Sequence, residues 1–438
     1  MNTMKRKQWM KKLSVAATAA VATAVSLLAA GCAGFAPASI APTPVAGPAL
    51  NGTVMGGRQP ISGASIYMYA AGTTGYASPA TNVLTSPVTT TPVGTFLITG
   101  YSCTPGQQLY LVSVGGDPGD GTNANATLLE ALGDCANLSS IHGLNINEVT
   151  TVATAFALAQ FASGYANVGT SATNTAGLAR AFASVNKLAN IANGEPAGPA
   201  LAAGATEPTN EINTLADVIA GCVNSTGSSS PSCSALFTDA TPPGGTAPND
   251  TAAAAIDIAQ NPANNATAIY NLAPSTGAPY SPQLTAAPAD WTMSISYTGF
   301  NAPKSTSIDA SGNVWVANSG NNTLTVLAQT GKPITGSPFS GNGLNAPAAV
   351  AIDASGNGWV ANKGGSTVSA FTGAGGLFGS SPFTVGSAPV ALAFDAPGNL
   401  WVANSSSSNV TELSSSGVIK QTVTTGVSTP TAIAIDPQ

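Results

Sequence analysis

A twelve-residue phrase that returns near the C-terminus constrains this chain more than any other feature. Ser307-Ile308-Asp309-Ala310-Ser311-Gly312-Asn313-Val314-Trp315-Val316-Ala317-Asn318 recurs as Ala351 to Asn362, with Asp353 and Trp359, and as Ala393 to Asn404, with Asp395 and Trp401. Each copy follows a dipeptide ending in proline (Ala302-Pro303, Ala346-Pro347, Ala388-Pro389), and a fourth begins at Thr429-Pro430 and reaches Asp436. Equivalent aspartates stand 44, 42 and 41 residues apart, the length of one four-stranded blade of a β-propeller. Within a unit, one strand should end at the aspartate, whose carboxylate accepts backbone N–H groups across the turn. The following glycine supplies the positive φ of that hairpin. The tryptophan then starts the next strand and fills the space between neighbouring blades, and Asn318, Asn362 and Asn404 close the turn after it.

This pattern resembles NHL-type repeats, and in particular the virginiamycin B lyase-like (streptogramin lyase-like) propellers. The resemblance implies a ring of blades and, in the lyases, a divalent cation with a general-base histidine and acidic residues, since elimination removes a proton α to a carbonyl. The repeat region contains no histidine, and its acidic residues after Trp291 are Asp309, Asp353, Asp395, Glu412 and Asp436. Four of these five occupy the repeated turn, where architecture is the economical reading, so the resemblance carries fold and not catalysis. Closed propellers need about four to eight blades. Three full phrases, an opening fourth strand and a candidate closing strand at Trp291 to Tyr297 fall short of that. An open blade edge invites pairing with other chains.

The N-terminus reads as an export signal. Lys5, Arg6, Lys7, Lys11 and Lys12 precede an uncharged Ala-rich stretch from Leu13 to Ala30, then Leu28-Ala29-Ala30-Gly31-Cys32, an order to be excluded from fold reasoning. The motif resembles a bacterial lipobox, which implies cleavage before Cys32 and acylation of its thiol, with Ala29 where leucine is usual. Ordinary cleavage at a nearby alanine and an uncleaved span are the competing readings. Several acyl chains on one cysteine make a stable membrane anchor. Ala33 is not the aspartate that retains some lipoproteins at the inner membrane, so the outer membrane or cell surface is expected. Residues 32–49, with Pro37, Pro42, Pro44 and Pro48, suit an extended spacer.

Composition agrees with an extracytoplasmic chain. The net charge is −6, or −11 without the five cations of the signal, which argues against nucleic acid as a partner. Charged residues make up 7%, against about 25% in ordinary globular proteins. With Cys32 assigned to lipid, Cys103, Cys135, Cys222 and Cys233 remain, an even number with three connectivities. Pairing within local segments, 103 with 135 and 222 with 233, is favoured.

Residues 50–116 carry four β-rich runs between Gly and Pro turns, at Gly52–Gly57, Ala64–Tyr69, Thr95–Ile98 and Gln108–Val112, as in a small β-sandwich. The phrase from Gly52 to Ile66, with Pro60-Ile61-Ser62-Gly63-Ala64, resembles the opening of carboxypeptidase-regulatory-like (transthyretin-like) domains, which implies a non-catalytic spacer or adhesive module. Residues 117–275 change to Ala-rich helical signals. Asn145 is expected to cap a helix with Glu148 near its start, and Ile212, Leu215, Ile219 and Cys222 form one apolar stripe. Asp117, Asp120 and Asn123 offer oxygen ligands of the type calcium prefers, without EF-hand spacing and in a cluster that ordinarily builds turns. His142 has no nucleophile motif around it.

The expected architecture is therefore multidomain: signal 1–31, lipidated linker 32–49, β-sandwich 50–116, helical segment 117–275 and a partial β-propeller over 291–438. The function expected of it is that of a membrane-anchored scaffold presenting a non-catalytic face to a protein or glycan. The alternatives are a lyase or hydrolase, for which Glu412 is the acidic side chain outside the repeated turn, and a purely structural envelope component.

Overall fold

The computed structural model describes residues 42–436, so the expected signal at 1–31 and the expected lipidation site Cys32 lie outside the described residues. The chain divides into compact units at Val45/Ala46, and the architecture that follows is that of the unit beginning at Ala46. It is β-rich, with several small, mostly antiparallel sheets.

The four runs foreseen in residues 50–116 are strands. Leu50–Gly56 pairs antiparallel with Thr95–Ile98 and parallel with Asn145–Ile146, while Ser65–Ala70 pairs with Gln108–Val114. Ser65–Ala70 alternates between half-buried and buried positions, the signature of a strand with one face on a core. Gln108–Val114 is buried nearly throughout, because the Thr175–Leu188 helix lies against it.

The stretch from 117, expected to be helical, first supplies a further strand. Thr127–Asp134 pairs antiparallel with Gln108–Val114. Its Leu-Leu-Glu-Ala-Leu composition suits a helix, but the open edge of the neighbouring strand and the helices packed on it override local propensity. The Glu148–Leu158 helix is capped by Asn147, not Asn145: Thr150 N donates to Asn147 Oδ1 at 3.0 Å and Asn147 N donates to Thr150 Oγ1 at 3.0 Å. Asn145 cannot cap because its backbone is held extended opposite Thr53. The Thr209–Val223 helix buries Ile212, Leu215, Ile219 and Cys222 as its stripe requires.

Both disulfides join the local pairs. Cys103–Cys135 closes 32 residues and Cys222–Cys233 closes 11, the latter tying the end of the Thr209–Val223 helix to the Pro231–Asp239 helix. The strands from Leu50 to Asp134 and the helices that follow share one continuous core from Leu50 to Trp291. Trp291 belongs to this core and is fully buried in it, its backbone N–H donating to Pro262 O at 2.9 Å. It is therefore not a blade strand, and the first blade begins at Pro303.

Three four-stranded antiparallel sheets follow, each with strands a to d. Blade 1 comprises Pro303–Ile308, Val314–Asn318, Thr323–Leu327 and Phe339–Ser340. Blade 2 comprises Pro347–Ile352, Gly358–Asn362, Thr367–Phe371 and Phe383–Thr384. Blade 3 comprises Pro389–Phe394, Leu400–Asn404, Asn409–Leu413 and Ile419–Val423. The a strands of successive blades lie against one another. Thr429 has φ +41°, matching Ala302, Ala346 and Ala388 at the head of each blade, but no strand forms from 429 to 436. The described residues form no closed ring.

Candidate functional site

The repeated aspartates are committed to their own turns. Asp309 Oδ1 accepts Asn313 N at 2.9 Å, and Oδ2 accepts Asn313 Nδ2 at 2.9 Å and Trp315 Nε1 at 3.0 Å. Asp353 repeats the set with Asn357 and Trp359, and Asp395 with Asn399 and Trp401. The bond to the indole went unforeseen, although the constant Asp-to-Trp interval of six residues carries it. Burial alone would raise the Asp309 carboxyl, but the hydrogen bonds from Trp315 and Asn313 outweigh it and hold it below the ordinary value. Asp395 is lowered by the same balance, with Lys420 adding to it. Asn318, Asn362 and Asn404 are wholly buried. Each amide bridges to strand c, Asn318 to Thr323 and Thr325, Asn362 to Thr367 and Ser369, Asn404 to Asn409 and Thr411. Glu412 faces Lys420 Nζ at 2.9 Å and accepts Gln421 Nε2 at 2.6 Å.

Trp315 and Trp359 are each a knob on one blade that enters a seat on the next. Trp315 packs with Val350, Val360 and Phe371 of blade 2, where a Cβ on Gly358 would come within 2.5 Å of the indole. Trp359 packs with Leu400, Val402 and Leu413 of blade 3, flanked by the rings of Phe378 and Phe383 with centroids at 5.4 Å. No further blade follows Trp401 among the described residues, and it is half-buried.

On blade 1 the corresponding positions, Pro303, Thr306, Val314, Val316 and Leu327, line a cavity of about 460 Å³ with Tyr297 at its edge. Tyr297 stands against blade 1 as Phe339 of blade 1 stands against blade 2 and Phe383 of blade 2 against blade 3: Gly331, Gly375 and Gly417 are the points at which a Cβ would strike Tyr297, Phe339 and Phe383. These glycines fall 16 residues after each tryptophan, a signal available in the sequence but unread. The closing strand expected at Trp291 to Tyr297 reduces to Ser296–Tyr297, which pairs with Ala205–Thr206.

The remaining sequence candidates are dispersed. Asp117 Oδ1 accepts Gly119 N and Gly121 N, while the buried Asn123 donates to Cys222 O and Val223 O and its Oδ1 accepts Asn125 N. These contacts hold the loop that carries the calcium candidates Asp117, Asp120 and Asn123. His142 is exposed. Among the described residues no cluster of three or more His, Cys, Asp or Glu could hold a metal, and no helix is long and apolar enough to cross a membrane.

A cluster that sequence reasoning missed lies in the main core. Glu148 Oε1 accepts Gly57 N at 2.9 Å and Oε2 accepts the Tyr280 hydroxyl at 2.5 Å. Asp217 accepts Tyr280 N at 2.9 Å and Gln283 Nε2 at 2.6 Å, and the Arg58 guanidinium lies 5.5 Å over the Tyr280 ring. Burial pushes the Glu148 carboxyl up to about 7 and that of Asp217 up to about 6. The cluster pins residues 279–284 across two helices, as Leu284 N to Thr214 Oγ1 and Asn213 Nδ2 to Pro282 O also do. Glu130, wholly buried in the Thr127–Asp134 strand, is likewise held well above the ordinary value by burial.

No protein-family model matches the sequence, and no curated protein matches it. Among solved structures the chain is similar to virginiamycin B lyase from Staphylococcus aureus, at 15% identity over 29% of this chain and 42% of that one, with a TM-score of 0.26. A streptogramin B lyase matches at 15% identity over 31% and 45%, TM-score 0.27. Hydrazine synthase of Kuenenia stuttgartiensis matches at 19% identity over 31% and 39%, TM-score 0.28. The chain spans less than half the length of each of these structures.

Proposed function

We propose that this protein is an exported, lipid-anchored envelope protein whose blades form a non-catalytic binding scaffold for an extracytoplasmic protein or glycan. The observation that carries this reading is the use of the blade carboxylates. Asp309, Asp353 and Asp395 each spend both oxygens on the turn and the indole, and Glu412 is engaged by Lys420 and Gln421. A carboxylate tied in this way is a poor general base, because the proton it would take must displace hydrogen bonds that favour its charged form. The export-like N-terminus with Cys32, the low charge and the two disulfides support the extracytoplasmic setting. The carboxypeptidase-regulatory-like opening phrase fits a spacer between membrane and blades.

Two measurements test the reading. Intact mass of protein extracted from its native membrane should fit an acylated chain beginning at Cys32. The purified protein should bind members of a glycan and peptide panel without converting them. Turnover of a cyclic depsipeptide or any panel member, abolished by Glu412→Gln, would replace the scaffold with a lyase or hydrolase.

A further inference from the structure

The three blades repeat one joint, and the seat on blade 1 can be compared with its two counterparts position by position. Val350, Gly358, Val360 and Phe371 surround Trp315 on blade 2. Their equivalents on blade 1, Thr306, Val314, Val316 and Leu327, line the 460 Å³ cavity. Ile352 and Phe394 pack into the joints of blades 2 and 3, whereas the equivalent Ile308 is 67% exposed. The cavity lies within the range of about 300–1,000 Å³ typical of small-molecule sites, and the sister seats show that this arrangement of strands accepts an indole.

The mouth of the seat is cationic. Lys187, a lining residue, comes from the Thr175–Leu188 helix and donates to the backbone oxygen of Gln329 at 3.0 Å. Two turns earlier on the same helix, Arg180 Nε and Nη2 donate to the Gln329 amide oxygen at 2.8 and 2.9 Å. Neither cation pairs with a carboxylate among the described residues, whose ion pairs are Arg58–Glu195 and Lys420–Glu412. Burial lowers the Lys187 pKa, the expected state of an ammonium that lacks an anion.

We propose that the blade 1 seat binds a small aromatic carboxylate, with its ring placed against Val314, Val316 and Leu327 as Trp315 is placed against blade 2, and its carboxylate on Lys187. Apolar burial of the ring supplies most of the affinity. The ammonium supplies the preference for an acid, through a charge-assisted hydrogen bond in a partly desolvated site. This inference rests on the scaffold reading and adds a ligand class to it.

Indole-3-acetate is the probe, titrated calorimetrically into the full chain beside 3-methylindole and tryptamine. The expected result is saturable one-to-one binding of the acid, about tenfold weaker binding of the uncharged 3-methylindole, and weaker binding still of the cationic tryptamine. Thr306→Trp, a change at an exposed wall position that fills the seat with an indole of its own, should abolish binding. Lys187→Met should equalise the acid and 3-methylindole while leaving the latter bound. Absence of saturable binding, binding that survives Thr306→Trp, or equal affinity for the acid and 3-methylindole in the unsubstituted protein would each overturn the proposal. So would concentration-dependent dimers that exclude the acid, since Trp401 of a second copy would then own the seat. Consumption of the acid during titration would instead sink the non-catalytic reading and leave the site standing.

Discussion

Glu148→Gln tests whether the core cluster stores a cost of ionisation. The folded protein holds the Glu148 proton to about pH 7, against an ordinary 4.5, because burial penalises the charged form more than the Tyr280 and Gly57 hydrogen bonds favour it. The folded state therefore binds more protons than the unfolded chain between these values, and stability must fall as the pH rises through that window. At 1.36 kcal/mol per pH unit the loss attributable to Glu148 approaches about 3 kcal/mol once the pH exceeds 7. Glutamine keeps an acceptor for Gly57 N and a polar partner for the Tyr280 hydroxyl but cannot ionise. Urea unfolding followed by tryptophan fluorescence at about pH 5 and about pH 8.5 should show the unsubstituted protein losing stability across that interval and Glu148→Gln losing about 2.5 kcal/mol less. Asp217, raised to about 6 by burial, titrates in the same window, so adding Asp217→Asn should flatten the profile further. Equal losses in the unsubstituted protein and Glu148→Gln would refute the reasoning.

The repeat supplies its own internal control, since Trp359→Ala should cost about 3–5 kcal/mol, as for a fully buried aromatic, while Trp401→Ala, half-buried on the last blade, should cost clearly less in the same denaturant assay. The depressed carboxyls of Asp309 and Asp395 contribute stability that is full above the ordinary aspartate value and fades as the pH falls below about 4. Asp309→Asn should accordingly narrow the stability difference between neutral and acid conditions, measured by thermal melts. Replacing Cys103 and Cys135 with serine should cost about 4 kcal/mol and replacing Cys222 and Cys233 about 3 kcal/mol, from loops of 32 and 11 residues. Chevron or equilibrium unfolding of the two double variants checks the order.

Much of the blade was legible because its chemistry is local. Asp309, Asn313 and Trp315 sit on one hairpin, so the turn, the positive φ of Gly312 and the burial of Trp315 all follow from residues within six positions. The disulfides were legible for the same reason, each closing a short segment. Local reasoning failed where two nearby choices competed. Asn145 and Asn147 are both good caps, and the pairing of Asn145 with Thr53, 92 positions away, selected Asn147. Thr127–Asp134 could read as a helix until the free edge of Gln108–Val114 claimed it as a strand.

The sequence by itself determined the repeating blade, its aspartate turn and the helical stripe ending at Cys222, and it favoured the local cysteine pairing that the structure then selected from three. All of these depend on short intervals along the chain. Tertiary structure alone decided that Glu148 meets Tyr280 across 132 positions, that Trp291 serves the helical core, and that blade 1 turns its seat toward Tyr297 and Lys187. These outcomes depend on which surfaces remain to be buried once the local elements exist. No interval in the sequence encodes that competition, because hydrophobic burial is non-directional and is settled only when all the faces are present together.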